Sequence, residues 1–220
     1  GYEFDGPWNH YDPAEFVAAW RYVVDLLRSA GVNNFATVWQ SAANVTFEDR
    51  PFSEWWPGDD TVDWIGTSFF FLDENLDRHA AFVDWAAEKG KPLMICEASP
   101  KGYNVDESPD GPAPFAYPDR GLTFSRDGVT FDPRTSEQIW SEWYVPLFDL
   151  VRDNAHAIRA VAYINVEWNA QEMWGAGSAL YWGDSRIEAN ALLRERWLAE
   201  IQSDAWLHGG PDLFEALAGE

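Results

Sequence analysis

Two hydrophobic rhythms alternate along the chain. Between residues 13 and 30, Phe16, Trp20, Val23, Val24 and Leu27 recur every three or four residues, the stripe of an amphipathic helix. Asp12, Pro13 and Glu15 occupy the N-cap, first and third positions of such a helix, and Gly31 closes it. Two short apolar runs come next, residues 34–40 (NFATVWQ) and 62–71 (VDWIGTSFFF), too brief for helices and rich in β-formers. A helix over residues 77–89, with Ala80, Ala81, Val83, Trp85 and Ala86, delivers the chain to the run Leu93, Met94, Ile95, Cys96. Residues 104–133, crowded with Pro, Gly and Asp, show no period and read as a long loop. Ile139, Trp140, Trp143, Leu147, Leu150 and Val151 predict a helix over 136–154, bent at Pro146. A strand over 159–165, a loop and a last helix over 190–201 complete the order.

Strands that alternate with helices predict an α/β fold with a parallel sheet and covering helices. Residues 1–8 (GYEFDGPW) add strand character at Tyr2 and Phe4, ahead of loop chemistry at Asp5-Gly6-Pro7. That makes five strands, too few to close an eight-stranded (β/α)8 barrel of TIM type. The pattern reads as strands four to eight of one, in a single domain over residues 1–220.

Composition narrows the partners. The 220 residues carry 37 acidic and 15 basic side chains, a formal net charge of −22, and only three of the basic groups are Lys (89, 91, 101). No basic footprint for nucleic acid or an anionic membrane exists, and no apolar run of about twenty residues predicts a membrane span. One cysteine, Cys96, excludes an intramolecular disulfide framework and a multi-Cys zinc site. His10, His79, His156 and His208 show no metal-binding spacing, and Asp59, Asp60 and Asp63 do not follow a calcium-loop pattern, so no metal or cofactor is expected. No nucleophile elbow or phosphate loop is present. Fourteen Trp, fourteen Phe and eight Tyr suit a packed core and also a cleft that stacks on sugar rings.

The chemistry concentrates in residues 91–103, KPLMICEASPKGY. The apolar run stops at Glu97 and passes into a small-residue and Pro-Lys-Gly loop. Glutamate is a poor strand former and is rarely buried unpaired, while the C-terminal rim of a parallel barrel is where catalytic groups sit. A structural ion pair or a solvated strand end accounts for it equally well on these residues alone. Trp8, Trp39, Trp168 and Trp174 come after predicted strands, where a polysaccharide cleft would lie; packing beneath loops is the competing role.

Several segments, in order, resemble glycoside hydrolase family 26, a β-mannanase family with a (β/α)8 barrel. GYEFDGPW is similar to its strand-four segment, and RYVVDLLRSAGVNNFATVWQ to the next helix and strand five. WWPGDDTVDWIGTSFF carries the most specific match, P-G-D-x-x-V-D-x-x-G ahead of strand six. KPLMICEAS resembles strand seven, and AVAYINVEW with WGDSRIEAN resembles strand eight and the segment after it. The resemblance implies a retaining endo-acting hydrolase on a β-linked polysaccharide, β-1,4-mannan first, then xylan or β-glucan, with a non-catalytic sugar-binding barrel as the alternative. Glu3 is then the acid/base and Glu97 the nucleophile; Tyr2, Trp8, Trp39, Phe70, Trp168 and Trp174 line the substrate cleft. Glu167 is a rival acid or an Arg partner. The N-terminal half of the barrel is expected from a parent chain, and an extracellular, secreted location fits the substrate. The chain departs from the family at Tyr2, where His is usual, and at Phe70, which lacks the hydroxyl of the aromatic that supports the nucleophile.

Overall fold

The computed structural model describes residues 11–43, 52–70, 76–107 and 121–211, with 213 and 215. In chain order the elements are helix α1 (Pro13–Ser29), strands β1 (Val38–Gln40) and β2 (Trp64–Phe69), helix α2 (Leu76–Glu88), strands β3 (Leu93–Ala98), β4 (Tyr103–Asn104), β5 (Thr123–Phe124) and β6 (Asp132–Pro133), helices α3 (Ser136–Ile139) and α4 (Val145–Asp153), strands β7 (Ile158–Tyr163) and β8 (Gly183–Asp184), and helix α5 (Ala191–Ile201). They cluster into two compact units, Gly1–Lys101 with Ser141–Asn165, and Gly102–Trp140 with Val166–Glu220.

The first unit holds a parallel sheet in the order β1-β2-β3-β7. Parallel neighbours need crossovers, and α2 makes the one from β2 to β3. This is the strand–helix alternation of a (β/α) barrel. Trp39, Ile65, Phe69, Leu93 and Ile95 are all essentially buried. Trp39 and Phe69 point into the helix layer, where Trp39 packs 5.6 Å from Trp85 and Phe69 lies 4.9 Å from His79 and 5.6 Å from Trp143 (ring centroids). His79 is buried with no partner on Nδ1, and desolvation pushes its imidazole down to about 4.

Helix α1 starts as the sequence predicts. Asp12 accepts from the Ala14 and Glu15 amides at 2.9 and 3.1 Å, with Pro13 in the first turn. It packs on the segment before β2: Phe16 meets Trp55 edge-on at 5.6 Å, and the Trp20 indole N–H donates to the Thr61 carbonyl. Arg21 grips Asp60 with two parallel bonds of 2.9 and 2.7 Å.

The second unit corrects the reading of residues 104–133 as a long loop. In its described part, β4, β5 and β6 join β8 in a small sheet of order β6-β5-β4-β8. Strands of two residues cannot display an alternation, so no period announces them. Gly183 sits at φ +87°, and a Cβ there would overlap the Tyr103 carbonyl, so only glycine permits the β4–β8 approach. Asn190 caps α5 by accepting from Leu193 N–H, and its amide donates to the Val105 carbonyl and to Ser136 Oγ.

The helix predicted over 136–154 is not continuous. A π turn over Trp140–Tyr144 separates α3 from α4, and Pro146 stands in the first turn of α4. Lacking an N–H, Pro146 cannot bond the Glu142 carbonyl four residues back, and the helix widens where that bond is missing. Among the described residues no helix is long and apolar enough to cross a membrane.

Candidate active site

The ends of β1, β2 and β3 converge on one carboxylate. Gln40 closes β1, Ser68 is the penultimate residue of β2, and Glu97 is the penultimate residue of β3. Gln40 Nε2 donates to Glu97 Oε2 at 2.9 Å, Ser68 Oγ donates to the same oxygen at 3.1 Å, and Gln40 Nε2 lies 3.0 Å from Ser68 Oγ. Ser68 is buried, and Gln40 and Glu97 are half-buried.

An irregularity in β3 aims the carboxylate. Ile95 pairs with Thr67, but Glu97 pairs with the very next residue of β2, Ser68, so one residue of β3 has no counterpart. Side chains alternate along a strand, and a regular β3 would put Glu97 on the face of Ile95, towards the helices. The extra residue flips it to the face of Gln40 and Ser68. Gly66 makes room for this. A Cβ there would lie 2.6 Å from Cys96 Sγ, 3.0 Å from Val38 Cγ1 and 3.2 Å from Gln40 Cβ.

The P-G-D-D-T-V-D-W-I-G stretch explains itself in these contacts. Pro57 offers its carbonyl to Arg21 Nη1, and Asp60 holds the same guanidinium. Asp63 accepts from the Thr37 amide at 2.7 Å and from Thr37 Oγ1 at 3.0 Å, tying the entry of β2 to that of β1. The Thr37 amide bond, chiefly, holds the Asp63 carboxyl below its usual range. Gly66 ends the motif beside Cys96.

The rim of this unit carries further groups. The Trp143 indole N–H donates to the Phe70 carbonyl at 2.9 Å, and the Tyr144 and Tyr163 hydroxyls share a 2.8 Å bond. In the loop after β3, Lys101 is half-buried, and burial lowers its ammonium from the usual range.

The sequence-derived residues separate accordingly. Glu97 stands at the strand end as predicted, and Phe70 comes directly after β2, half-buried. Trp39 is corrected: one residue before Gln40 on a strand, it faces the other way, 1% exposed, with its ring 5.3 Å from Trp56 and 5.6 Å from Trp85. It is core, not cleft. Tyr2, Glu3 and Trp8 lie outside the described residues. Sequence reasoning misses Gln40 and Ser68 as site residues; the polar ending of VWQ, in phase with the strand alternation, is the available signal.

In the second unit, Trp168 and Trp174 lie together, 6.2 Å between ring centroids, with Trp182 between them at 4.8 and 5.6 Å. Nothing in the sequence singles out Trp182. All three are half-exposed. Glu167 is an Arg partner, 3.2 Å from Arg186 Nη1. Arg186 also clamps the buried Asp184 carboxylate, Nη2 to Oδ2 at 2.6 Å, and stands 3.7 Å from Asp106. The Asp184 bonds, above all, raise the guanidinium further above its already high range.

No family model matches the chain. It is 35% identical over 222 aligned residues to a β-1,3-xylanase of an Alcaligenes species, covering 98% of this chain and 44% of that protein. To the β-1,3-xylanase TXYA of a Vibrio species it is 34% identical, covering 98% and 45%. The chain thus spans a little under half the length of these relatives. Among solved structures it resembles a Cellulomonas fimi endo-β-1,4-mannanase double mutant (19% identity, 97% of this chain and 42% of that one, TM-score 0.57). It also resembles the catalytic domain of a family 26 endo-β-1,4-mannanase of Bacillus sp. JAMB-750 (20% identity, 96% and 50%, TM-score 0.53). The likeness to family 26 read from the motifs extends to the fold, which is that of part of a (β/α)8 barrel.

Proposed function

We propose that this chain carries the nucleophile side of a retaining glycoside hydrolase acting on a β-linked polysaccharide, with β-1,3-xylan as its substrate. One observation carries the reading: a half-buried carboxylate, Glu97, held by two polar donors at the C-terminal ends of adjacent parallel strands. In a barrel that end is where chemistry takes place. In the reaction the Glu97 carboxylate forms a bond to the anomeric carbon as the glycosidic C–O bond breaks. The departing oxygen takes a proton from Glu3, the acid/base of the reading. Water then attacks the glycosyl-enzyme, gives its proton back to Glu3, and frees Glu97. Double displacement of this kind requires the two carboxyl groups about 5–5.5 Å apart.

Identity of 34–35% to β-1,3-xylanases, against 19–20% to the mannanases of similar fold, favours xylan over mannan. Tyr2 and Phe70, the two departures from the mannanase pattern, point the same way. Trp168, Trp174 and Trp182 supply apolar faces of the sort that stack on pyranose rings. Among the described residues β1 and β7 are the outer strands of the sheet, and a closed barrel sets further strands against both: strand four, read in residues 1–8, and strands one to three from the N-terminal half of a parent protein. Secretion follows from a polymeric substrate that cannot enter a cell.

The test is hydrolysis by the full-length protein of β-1,3-xylan, β-1,4-mannan and mixed-linkage β-glucan, with Glu97→Ala as control and the product anomer followed by NMR. Cleavage of β-1,3-xylan with retention, lost in Glu97→Ala, is the expected result. Inversion, or full activity in Glu97→Ala, rejects the mechanism. Preferential cleavage of mannan rejects the substrate alone, and retained sugar binding without hydrolysis of any polymer makes the barrel a recognition module.

A further inference from the structure

We infer that Gln40 and Ser68 are positioning residues that divide the labour of the Glu97 carboxylate, anchoring Oε2 so that Oε1 is the atom that attacks. The inference rests on the reading of Glu97 as nucleophile.

Both donors converge on the same oxygen, Oε2, at 2.9 and 3.1 Å. The arrangement also fixes where each proton points. A Gln amide beside a carboxylate must present its NH2 group, because its carbonyl oxygen would repel the anion. The same NH2 lies 3.0 Å from Ser68 Oγ and donates there as well. Ser68 has one hydroxyl proton; with its lone pair occupied by Gln40, that proton goes to Glu97. Gln40 thus donates to both Ser68 and Glu97, and its bond to Ser68 polarises the hydroxyl that donates to the carboxylate. A carboxylate pinned through one oxygen in this way cannot rotate freely about its last torsion, which is otherwise broad.

The anchors themselves are rigid. Gln40 and Ser68 sit on neighbouring hydrogen-bonded strands, and the register that pairs Ser68 with Glu97 is the one created by the extra residue in β3. Side chains held by strands are placed more tightly than side chains held by loops. The attacking oxygen must approach the anomeric carbon within a few tenths of an ångström of the productive line, and losing that alignment is costly even when substrate still binds. As Oε1 bonds to the anomeric carbon, the carbon's bond to the departing sugar oxygen breaks and that oxygen leaves with the acid's proton. Oε2 keeps its two donors throughout.

The experiment compares Gln40→Leu, Gln40→Glu, Ser68→Ala and Glu97→Ala with the parent in the full-length protein. Readouts are kcat and KM on β-1,3-xylan, covalent labelling by a 2-deoxy-2-fluoroxylosyl fluoride followed by intact mass, and thermal melting. Gln40→Leu lowers kcat and the labelling rate together by about 100-fold while KM stays within about twofold, the signature of lost alignment. Ser68→Ala, which leaves Gln40 in place, lowers both by about tenfold. Gln40→Glu keeps the shape but sets a second carboxylate against the first, and falls at least as far as Gln40→Leu. A role in packing alone would not produce that order. If Glu97→Ala is inactive while the Gln40 and Ser68 variants label and turn over like the parent, the positioning role is overturned and the nucleophile stands. If Glu97→Ala retains activity, the underlying reading fails, and the inference with it.

Discussion

Gly66 on β2 faces Cys96 on β3 so closely that a methyl group on Gly66 would lie 2.6 Å from the cysteine sulfur. The same methyl would press on Gln40 Cβ at 3.2 Å, so the missing side chain sets the seat of the Glu97 anchor. Gly66→Ala is therefore expected to cost about 1–3 kcal/mol by overpacking. It should also lower turnover by displacing Gln40. Denaturant melts with parallel kinetics check this, and a variant as stable and active as the parent would show that the three strands yield without moving the site.

His79 gives the first unit an acid sensitivity of its own. Its folded pKa is depressed to about 4 from 6.5 because the buried ring is desolvated, so the folded state holds it neutral. Between those values the unfolded chain takes up a proton that the folded chain refuses, and the folded state loses stability as pH falls from 6.5 towards 4. The loss attributable to this ring is about 3 kcal/mol at most over that window. His79→Phe, which keeps a ring against Phe69, removes it. The difference in stability between parent and variant should be flat above about pH 7 and should grow in the variant's favour on acidification.

Arg186 neutralises a carboxylate that has no access to water. The Asp184 side chain is 2% exposed, and the guanidinium that holds it is 30% exposed. Arg186→Leu strands the buried charge and should cost about 3 kcal/mol, the low end for breaking a buried pair because the arginine itself is partly solvated. Arg186→Lys should recover little of this, since a point charge cannot reproduce the forked contact. Chemical denaturation of the three proteins decides it.

Trp39 separates core from cleft experimentally. Trp39→Ala should cost about 3–5 kcal/mol, as for other buried aromatics truncated in a packed cluster. Trp39→Phe should cost less, partly because it removes an indole N–H that is buried without a partner. Neither change should alter KM in the protein that remains folded. A raised KM with unchanged melting would return Trp39 to the cleft.

Periodicity made the main elements legible. Helix α1 begins at the predicted cap, α2 and α5 lie within a residue of their predicted bounds, and three strands of the parallel sheet match the predicted runs to within a residue or two, while β1 ends where predicted but begins four residues later. These features are local: a cap, a 3.6-residue stripe and a short apolar run each depend on neighbours within a turn or two. The small sheet of β4, β5, β6 and β8 escaped because its strands are two residues long and their partners lie up to about eighty residues away.

The sequence by itself determined the alternation of strand and helix, the excess of acidic over basic side chains, and the glutamate that ends an apolar strand. Only the tertiary structure decided which way the side chains at those strand ends face. Trp39 and Gln40 are adjacent in sequence and opposite in role, and Glu97 reaches Gln40 only because β3 carries one residue more than β2 opposite it. Side-chain direction along a strand has a period of two, so a single uncounted residue reverses it, and that residue is visible only once the strands are paired.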